Sequence, residues 1–220
     1  HDNGTEAIWQ FAMVKAKETG PNALGSAFCG IIDKLPRPSY LPTNTVLNLY
    51  DKDNDIRYNA YFTYDSIDAQ TVPDFMITYC KKWPGNPELY EGKSNNINKT
   101  KAFRISEMYL IKAEALGKTN GAAALVEYMK KRYTTAPSEA AIKALSDKEY
   151  QTLILDERRR EFYAEGMRWQ DIKRTNRLEL LETLDGRTYL MYYPIPQDEI
   201  DMAGTVAYPQ NPGYAGYTGY

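Results

Sequence analysis

The chain has 220 residues, 43% of them hydrophobic and 25% charged, with 27 basic against 29 acidic side chains and a formal net charge of −2. That length accommodates one sizeable core or at most two small ones. The charge balance argues against a nucleic-acid binder, which needs a basic excess to neutralise phosphates, and no apolar run reaches the roughly 18 residues that a spanning helix needs.

In chain order, the first hundred residues are irregular. Glu6–Val14, short and rich in large apolar residues, is expected to be a buried strand. Glycine and proline then punctuate Thr19–Thr45, which is expected to be mostly loop, and Arg57–Tyr64 is a second candidate strand. A further long loop is expected from Trp83 to Thr100, and connections of that length usually carry function or move.

Residues 101–185 are expected to be helical. In Phe103–Leu116 the residues Ile105, Met108, Tyr109, Ala113 and Leu116 recur at helical spacing, with Leu110 and Ile111 on another flank, so this helix should lie between layers. Gly117 supplies a stop, and Ala122–Arg132 follows with Leu125, Val126 and Met129 inward. The two form a short antiparallel hairpin of tetratricopeptide size. Ser138–Leu145 is a shorter helix. Ser146-Asp147-Lys148-Glu149 is a capping box that opens a helix running to about Glu165. Gly166 interrupts, and Met167–Asn176 continues as helix with Trp169 and Ile172. Tyr189–Tyr193 is a candidate strand, and the tail 208–220 should be coil.

Several clusters invite a chemical reading. Asp51, Asp53 and Asp55 imitate the start of a calcium loop, but the sixth position is Ile56 instead of glycine and the twelfth is Phe62 instead of glutamate. A turn in which Arg57 pairs one of the aspartates fits better, and no metal site is expected. Asp156–Glu165 carries three consecutive arginines. Helical ion pairs contribute only about 0.2–0.5 kcal/mol each. One or two of these arginines are therefore expected to be part-buried, satisfying loop carbonyls or a carboxylate such as Glu114. Glu157 and Glu161 are read as structural. Cys29 and Cys80 lack metal-ligand spacing; a bridge and a pair of buried thiols both remain open. The single histidine is His1, which removes histidine-based nucleophilic and metal chemistry. A pair of carboxylates, enough for a glycosidase, is not excluded by composition.

Three phrases then become specific: Arg104–Leu116 (RISEMYLIKAEAL), Asp156–Arg174 (DERRREFYAEGMRWQDIKR), and Tyr193–Glu199 (YPIPQDE) with Gln210–Tyr214 (QNPGY). In this order and spacing, with the looser Leu49–Arg57 (LYDKDNDIR), the chain resembles the C-terminal part of the SusD/RagB family over about residues 45–214. The resemblance implies a mainly α fold, a tetratricopeptide-like hairpin core with long loops and few short strands, held as one domain over 1–220. It implies non-catalytic capture of glycan, or in some branches peptide, at the outer membrane of Bacteroidetes. The partner would be a TonB-dependent, SusC-like transporter. No cofactor and no nucleic acid is implied, and the membrane is reached only through a lipid anchor. The family's lipidated cysteine and its N-terminal helical hairpins are expected to lie outside this span. The readings that compete with glycan capture are a helical-repeat module for protein or peptide, and a carboxylate-pair glycosidase.

A pyranose offers one apolar face to an aromatic ring and a rim of hydroxyls to amides and carboxylates. Two loops supply both. Trp83, Asn86 and Tyr90 lie on one, and Tyr40 and Asn44 on the other, and these five are the candidate glycan contacts. Trp9 and Trp169 are expected to be core.

Overall fold

The computed structural model describes residues 6–11, 24–29, 31–32, 35–36, 38–66, 76–83, 100–181, 184–204 and 208–214. Within the span expected to hold a single domain, contacts gather into two compact units, His1–Met167 and Arg168–Tyr220.

The first unit is built on a helical hairpin. Strand β1 (Ala7–Gln10) pairs antiparallel with β6 (Lys101–Arg104), which leads directly into α4 (Ile105–Met129). A straight helix of 25 residues would be about 37 Å long, yet the Tyr109 hydroxyl donates to Glu127 at 3.0 Å. The chain therefore doubles back. It does so at Gly117, whose φ of 65° is left-handed backbone that glycine adopts without a Cβ penalty. The close approach is made at Gly121, where an added Cβ would stand 2.2 Å from the Ala113 carbonyl oxygen. The expected hairpin is thus present, with its first arm beginning at Ile105 because Phe103 belongs to β6.

Two further helices cover one side of the hairpin. In α5 (Glu139–Lys143) the Ser138 hydroxyl caps the Ala141 amide at 3.1 Å. In α6 (Asp147–Glu161) both halves of the Ser146–Glu149 capping box form, and the helix ends four residues before the expected Glu165. Leu110, Ala113, Leu125, Val126, Met129, Ile142 and Ile154 make the shared core. The inward stripe of the first arm is Ser106, Leu110 and Ala113, while Ile105, Met108, Ile111 and Leu116 are exposed. That corrects the expected stripe. The arm is apolar on two flanks, and periodicity cannot say which of two apolar flanks meets the core.

Ahead of the hairpin lie α1 (Leu24–Cys29), the small β2–β3 ribbon (Ile31–Ile32 with Leu35–Pro36), α2 (Asn44–Leu47), α3 (Ile56–Tyr61), and strands β4 (Phe62–Ser66) and β5 (Met76–Cys80), which pair antiparallel. Arg57–Tyr64, expected as a strand, is divided between α3 and β4. The Asp55 carboxylate accepts from the Arg57 amide at 3.0 Å and so caps a helix there. Glu6–Val14 is corrected too. Its described part forms β1, but Ile8, Trp9 and Phe11 are exposed, because no second layer among the described residues covers this face of the two-stranded ribbon. Trp9, at 53% exposure, is not core.

The second unit packs Trp169, Leu178, Leu181 and Leu190 around buried Ile172, Leu184 and Met191, from α7 (Met167–Thr175) onward. Thr188–Met191 is a 3₁₀ turn where a strand was expected. Its neighbours Leu190 and Met191 both serve this cluster, whereas a strand would send adjacent side chains to opposite faces. The last helix is α8 (Gln197–Met202). The Gln210 amide then bonds both the N–H and the carbonyl of Ile195 at 2.7 Å, tying the tail back to the YPIPQDE segment. Residues 208–214 carry no regular element, as expected; 215–220 lie outside the described residues.

Candidate functional site

Only part of the predicted contact set falls on described residues. Tyr40 is 62% exposed, on the segment 38–43. Ser39 and Tyr40 both donate their amides to the Ala27 carbonyl, at 2.9 and 3.0 Å, so this segment is fastened to α1. Asn44, on the same stretch, is exposed at the first position of α2 behind the Thr43 cap. Asn86 and Tyr90 lie outside the described residues.

Trp83 is a correction. It is 7% exposed and packs with Cys29 and Cys80, against Phe28, Tyr163 and Ala164. A stacking platform needs an open ring face, and this indole does not offer one. Its backbone amide donates to Cys29 Sγ at 3.1 Å, which holds the segment in the cluster.

A chain of aromatic rings supports Tyr40 from below. Tyr40 stands 5.6 Å from Phe28, which meets Tyr163 edge-on at 6.2 Å. Tyr163 lies 5.2 Å from Phe62, and Phe62 lies 5.3 Å from buried Tyr50. The Tyr50 hydroxyl ends the series by donating to the Arg160 carbonyl at 2.8 Å. The exposed ring thus stands on a packed series that reaches α6.

The most concentrated chemistry in the unit is a buried ion network centred on α6. Glu161 receives two bonds from Arg132 at 2.9 Å, one from Arg104 at 2.9 Å and one from the Tyr128 hydroxyl at 2.9 Å. Arg57 grips Asp55 with two bonds, at 2.8 and 2.7 Å, and reaches Glu157 at 2.9 Å and the Tyr128 and Tyr133 hydroxyls at 2.8 Å. Arg160 bonds Glu157 and the Leu49 carbonyl, at 2.7 and 2.8 Å. Glu165 binds Arg104 and Lys82, and Glu6 bridges Arg104 and Arg132. Five carboxylates (Glu6, Asp55, Glu157, Glu161, Glu165) therefore face five cations (Arg57, Lys82, Arg104, Arg132, Arg160).

Burial alone would raise the Glu161 carboxyl, but Arg132, then Arg104 and Arg57, outweigh it and hold it well below the usual carboxylate range. The same contest, won by Arg57 and Arg160, lowers Glu157. Burial pushes Lys82 down, with Glu165 opposing. Acids held ionised in this way do not donate protons. They fasten elements together.

The expectation for the arginine run is met: Arg158 and Arg160 are buried, Arg160 on a loop carbonyl and Arg158 on Glu107 at 3.3 Å. Arg57 pairs Asp55, and Asp51 accepts the Asp53 amide at 3.2 Å, the turn expected of the acidic segment. Sequence reasoning missed the roles of Arg104, Arg132, Lys82 and Glu165. The usable signal was Glu157 and Glu161, four apart on one face of α6, with Glu165 four positions further on, past the end of that helix. An open groove of about 690 Å³ lies elsewhere, lined by Met129, Ile142, Leu145 and Leu153, and touches none of the predicted contact residues.

The helical hairpin, the flanking helices and the loops laid over them define a helical-repeat protein of the tetratricopeptide-like class. The sequence profile of the SusD family matches residues 75–187, just over half of the chain, and the chain belongs to that family. A SusD-like protein from Formosa agariphila is 31% identical over 141 residues, covering 60% of this chain and 27% of that protein. A SusD superfamily protein from Bacteroides vulgatus superposes with a TM-score of 0.66 at 20% identity, over 96% of this chain and 47% of that one. Surface glycan-binding protein A from Bacteroides thetaiotaomicron gives 0.62 at 22% identity, over 94% and 52%. The chain thus spans about half the length of these solved relatives.

Proposed function

We propose that this chain captures oligosaccharide at the bacterial cell surface without cleaving it, and delivers it to a TonB-dependent, SusC-like outer-membrane transporter. Family membership supports this reading, together with the likeness to a protein described as a surface glycan-binding protein. The local observation that carries it is Tyr40, an open ring on a fastened loop with Asn44 four residues on. A ring held in place before the ligand arrives loses little freedom on binding. Tyr90 and Asn86 stay in the proposed contact set on their chemistry, and Trp83 becomes the packing beneath it. Attachment to the outer membrane would be through a lipid anchor. The half of the family's fold that this chain does not match would complete the scaffold.

Capture without catalysis fits the carboxylates. Glycoside hydrolysis needs one protonated acid beside the scissile bond, whereas Glu157 and Glu161 are enclosed by arginines that keep them ionised. Peptide is the second ligand class, because an exposed tyrosine beside asparagine serves either. The deciding experiment is affinity electrophoresis in gels containing candidate polysaccharides, run beside Tyr40→Ala. Affinity for a single oligosaccharide should be weak, on the order of millimolar to micromolar. Loss of the ring should abolish most retardation and leave the far-UV spectrum intact, since anchors of this kind can cost about 2 kcal/mol. Equal retardation of both proteins removes Tyr40 from the site.

A further inference from the structure

Cys29 closes α1 and Cys80 closes β5, and although they stand 51 positions apart in sequence, their sulfurs lie 3.7 Å apart. Both are buried, in the cluster that holds Trp83. Each sulfur also accepts a backbone amide, Cys29 from Trp83 at 3.1 Å and Cys80 from Lys82 at 3.4 Å. No group of three or more metal-binding side chains occurs among the described residues, so the pair is not part of a metal centre there. A disulfide needs an S–S distance of about 2.05 Å. From 3.7 Å, a movement shared between the two sulfurs is under about 1 Å each.

We propose that Cys29 and Cys80 form a thiol–disulfide site, closed by exchange with an external disulfide such as a small-molecule disulfide or the disulfide of a thiol oxidase. The Cys80 thiolate attacks one sulfur of the external disulfide. A mixed disulfide forms, and the leaving thiolate takes a proton to become a thiol. Cys29 then loses its proton to solvent, and its thiolate attacks Cys80 Sγ, expelling the second external thiol. Two protein thiols and one external disulfide become one protein disulfide and two external thiols, so electrons and protons balance.

Cys80 suits the attacking role. The Cys29 thiol that donates to it outweighs burial, and with Lys82 beside it the Cys80 thiol is lowered. Because both sulfurs are enclosed, exchange occurs during folding or in a locally opened state.

The bond would have a structural consequence for the proposed contact loop. The Ala27 carbonyl that fastens Ser39 and Tyr40 lies two residues before Cys29. A covalent link to Cys80 would join that support to the β4–β5 ribbon and close a long loop in the unfolded chain. The inference itself does not depend on glycan binding, because the test counts thiols.

The full 220-residue chain is reduced, freed of reductant and incubated with oxidised glutathione. It is then acid-quenched, alkylated in denaturant and weighed. The expected result is loss of two hydrogens, no alkyl group added, and a peptide pair joined through Cys29 and Cys80. Oxidised protein should melt at higher temperature than reduced protein. Cys29→Ser should lose that response and retain glutathione on Cys80. Oxidised wild-type protein that still takes up two alkyl groups, or carries a glutathione on each cysteine, overturns the proposal. So does a crosslink only between two chains.

Discussion

Glu161 is the side chain on which most of the buried charge converges. Its carboxylate joins Arg104, just before the hairpin, to Arg132, just after it, and also receives the Tyr128 hydroxyl. Removing one member of a buried ionic group leaves its partners uncompensated and costs about 3–5 kcal/mol. Glu161→Gln should therefore lower stability by about that amount in a denaturant melt, while an exposed control such as Glu127→Gln changes little. Acid should act in the same direction. The folded-state pKa of Glu161 is depressed, so its stabilising contribution is complete above the unfolded value of about 4.3 and is lost as pH falls through the folded value well below it. The melting temperature of the wild-type chain should fall steeply below about pH 4, and that of Glu161→Gln less so; parallel pH curves would show that the network is not the acid-sensitive element. At this scale the sequence was only partly readable. Asp55 with Arg57, two residues apart, announced their pairing. Glu161 with Arg104 and Arg132 did not, because they stand 57 and 29 positions apart and only the fold brings them together.

Among the elements, hairpin and capping signals were the clearest. Gly117 as the stop and Ser146–Glu149 as the capping box are local chemistry, and both stand where the residues put them. The failures share a physical cause as well. Arg57–Tyr64 and Tyr189–Tyr193 are apolar enough for strands, but an aspartate cap turned Arg57–Tyr61 into helix, leaving Phe62–Tyr64 as strand, and a shared cluster wound Tyr189–Met191 into a 3₁₀ turn. The first arm of α4 has an apolar stripe on each flank, and only the packing shows which one is core. Gly121 was not singled out, since a close backbone approach leaves no trace in periodicity. Gly121→Ala would push a methyl group onto the Ala113 carbonyl and the Tyr150 hydroxyl. Overpacking of this kind typically costs about 1–3 kcal/mol, and a thermal melt should show the loss, whereas Ala123→Ser on the exposed side should melt like the parent.

For the whole molecule, the open apolar face is the feature that most needs an explanation. Ile8, Trp9 and Phe11 on and beside β1, Phe103 on β6, and Ile105, Met108, Ile111 and Leu116 on α4 are each at least 40% exposed, and Trp9 lies 5.9 Å from Phe103 in a stacked pair. In stacked helical repeats each unit covers its second face with a neighbour, and terminal units carry a polar outer face. The solved relatives contain about as much chain again as this one matches. The 220-residue chain alone should therefore bind an apolar dye and self-associate, and Trp9→Lys with Ile111→Lys should reduce both. Sedimentation as a monomer without dye binding would show that water covers this face.

Family membership was legible because four phrases stood in family order, whereas the proposed contact residues were less so, since Trp83 looks the same on paper whether its loop is open or folded inward. The measurement that bears most directly on the central claim is retention of the full chain on a panel of immobilised polysaccharides, with the flow-through assayed for new reducing ends. Capture without cleavage predicts saturable retention on at least one polysaccharide, competed by its oligosaccharide, with no reducing ends released. Release of reducing ends, or no retention on any glycan together with retention on a peptide matrix, would contradict it.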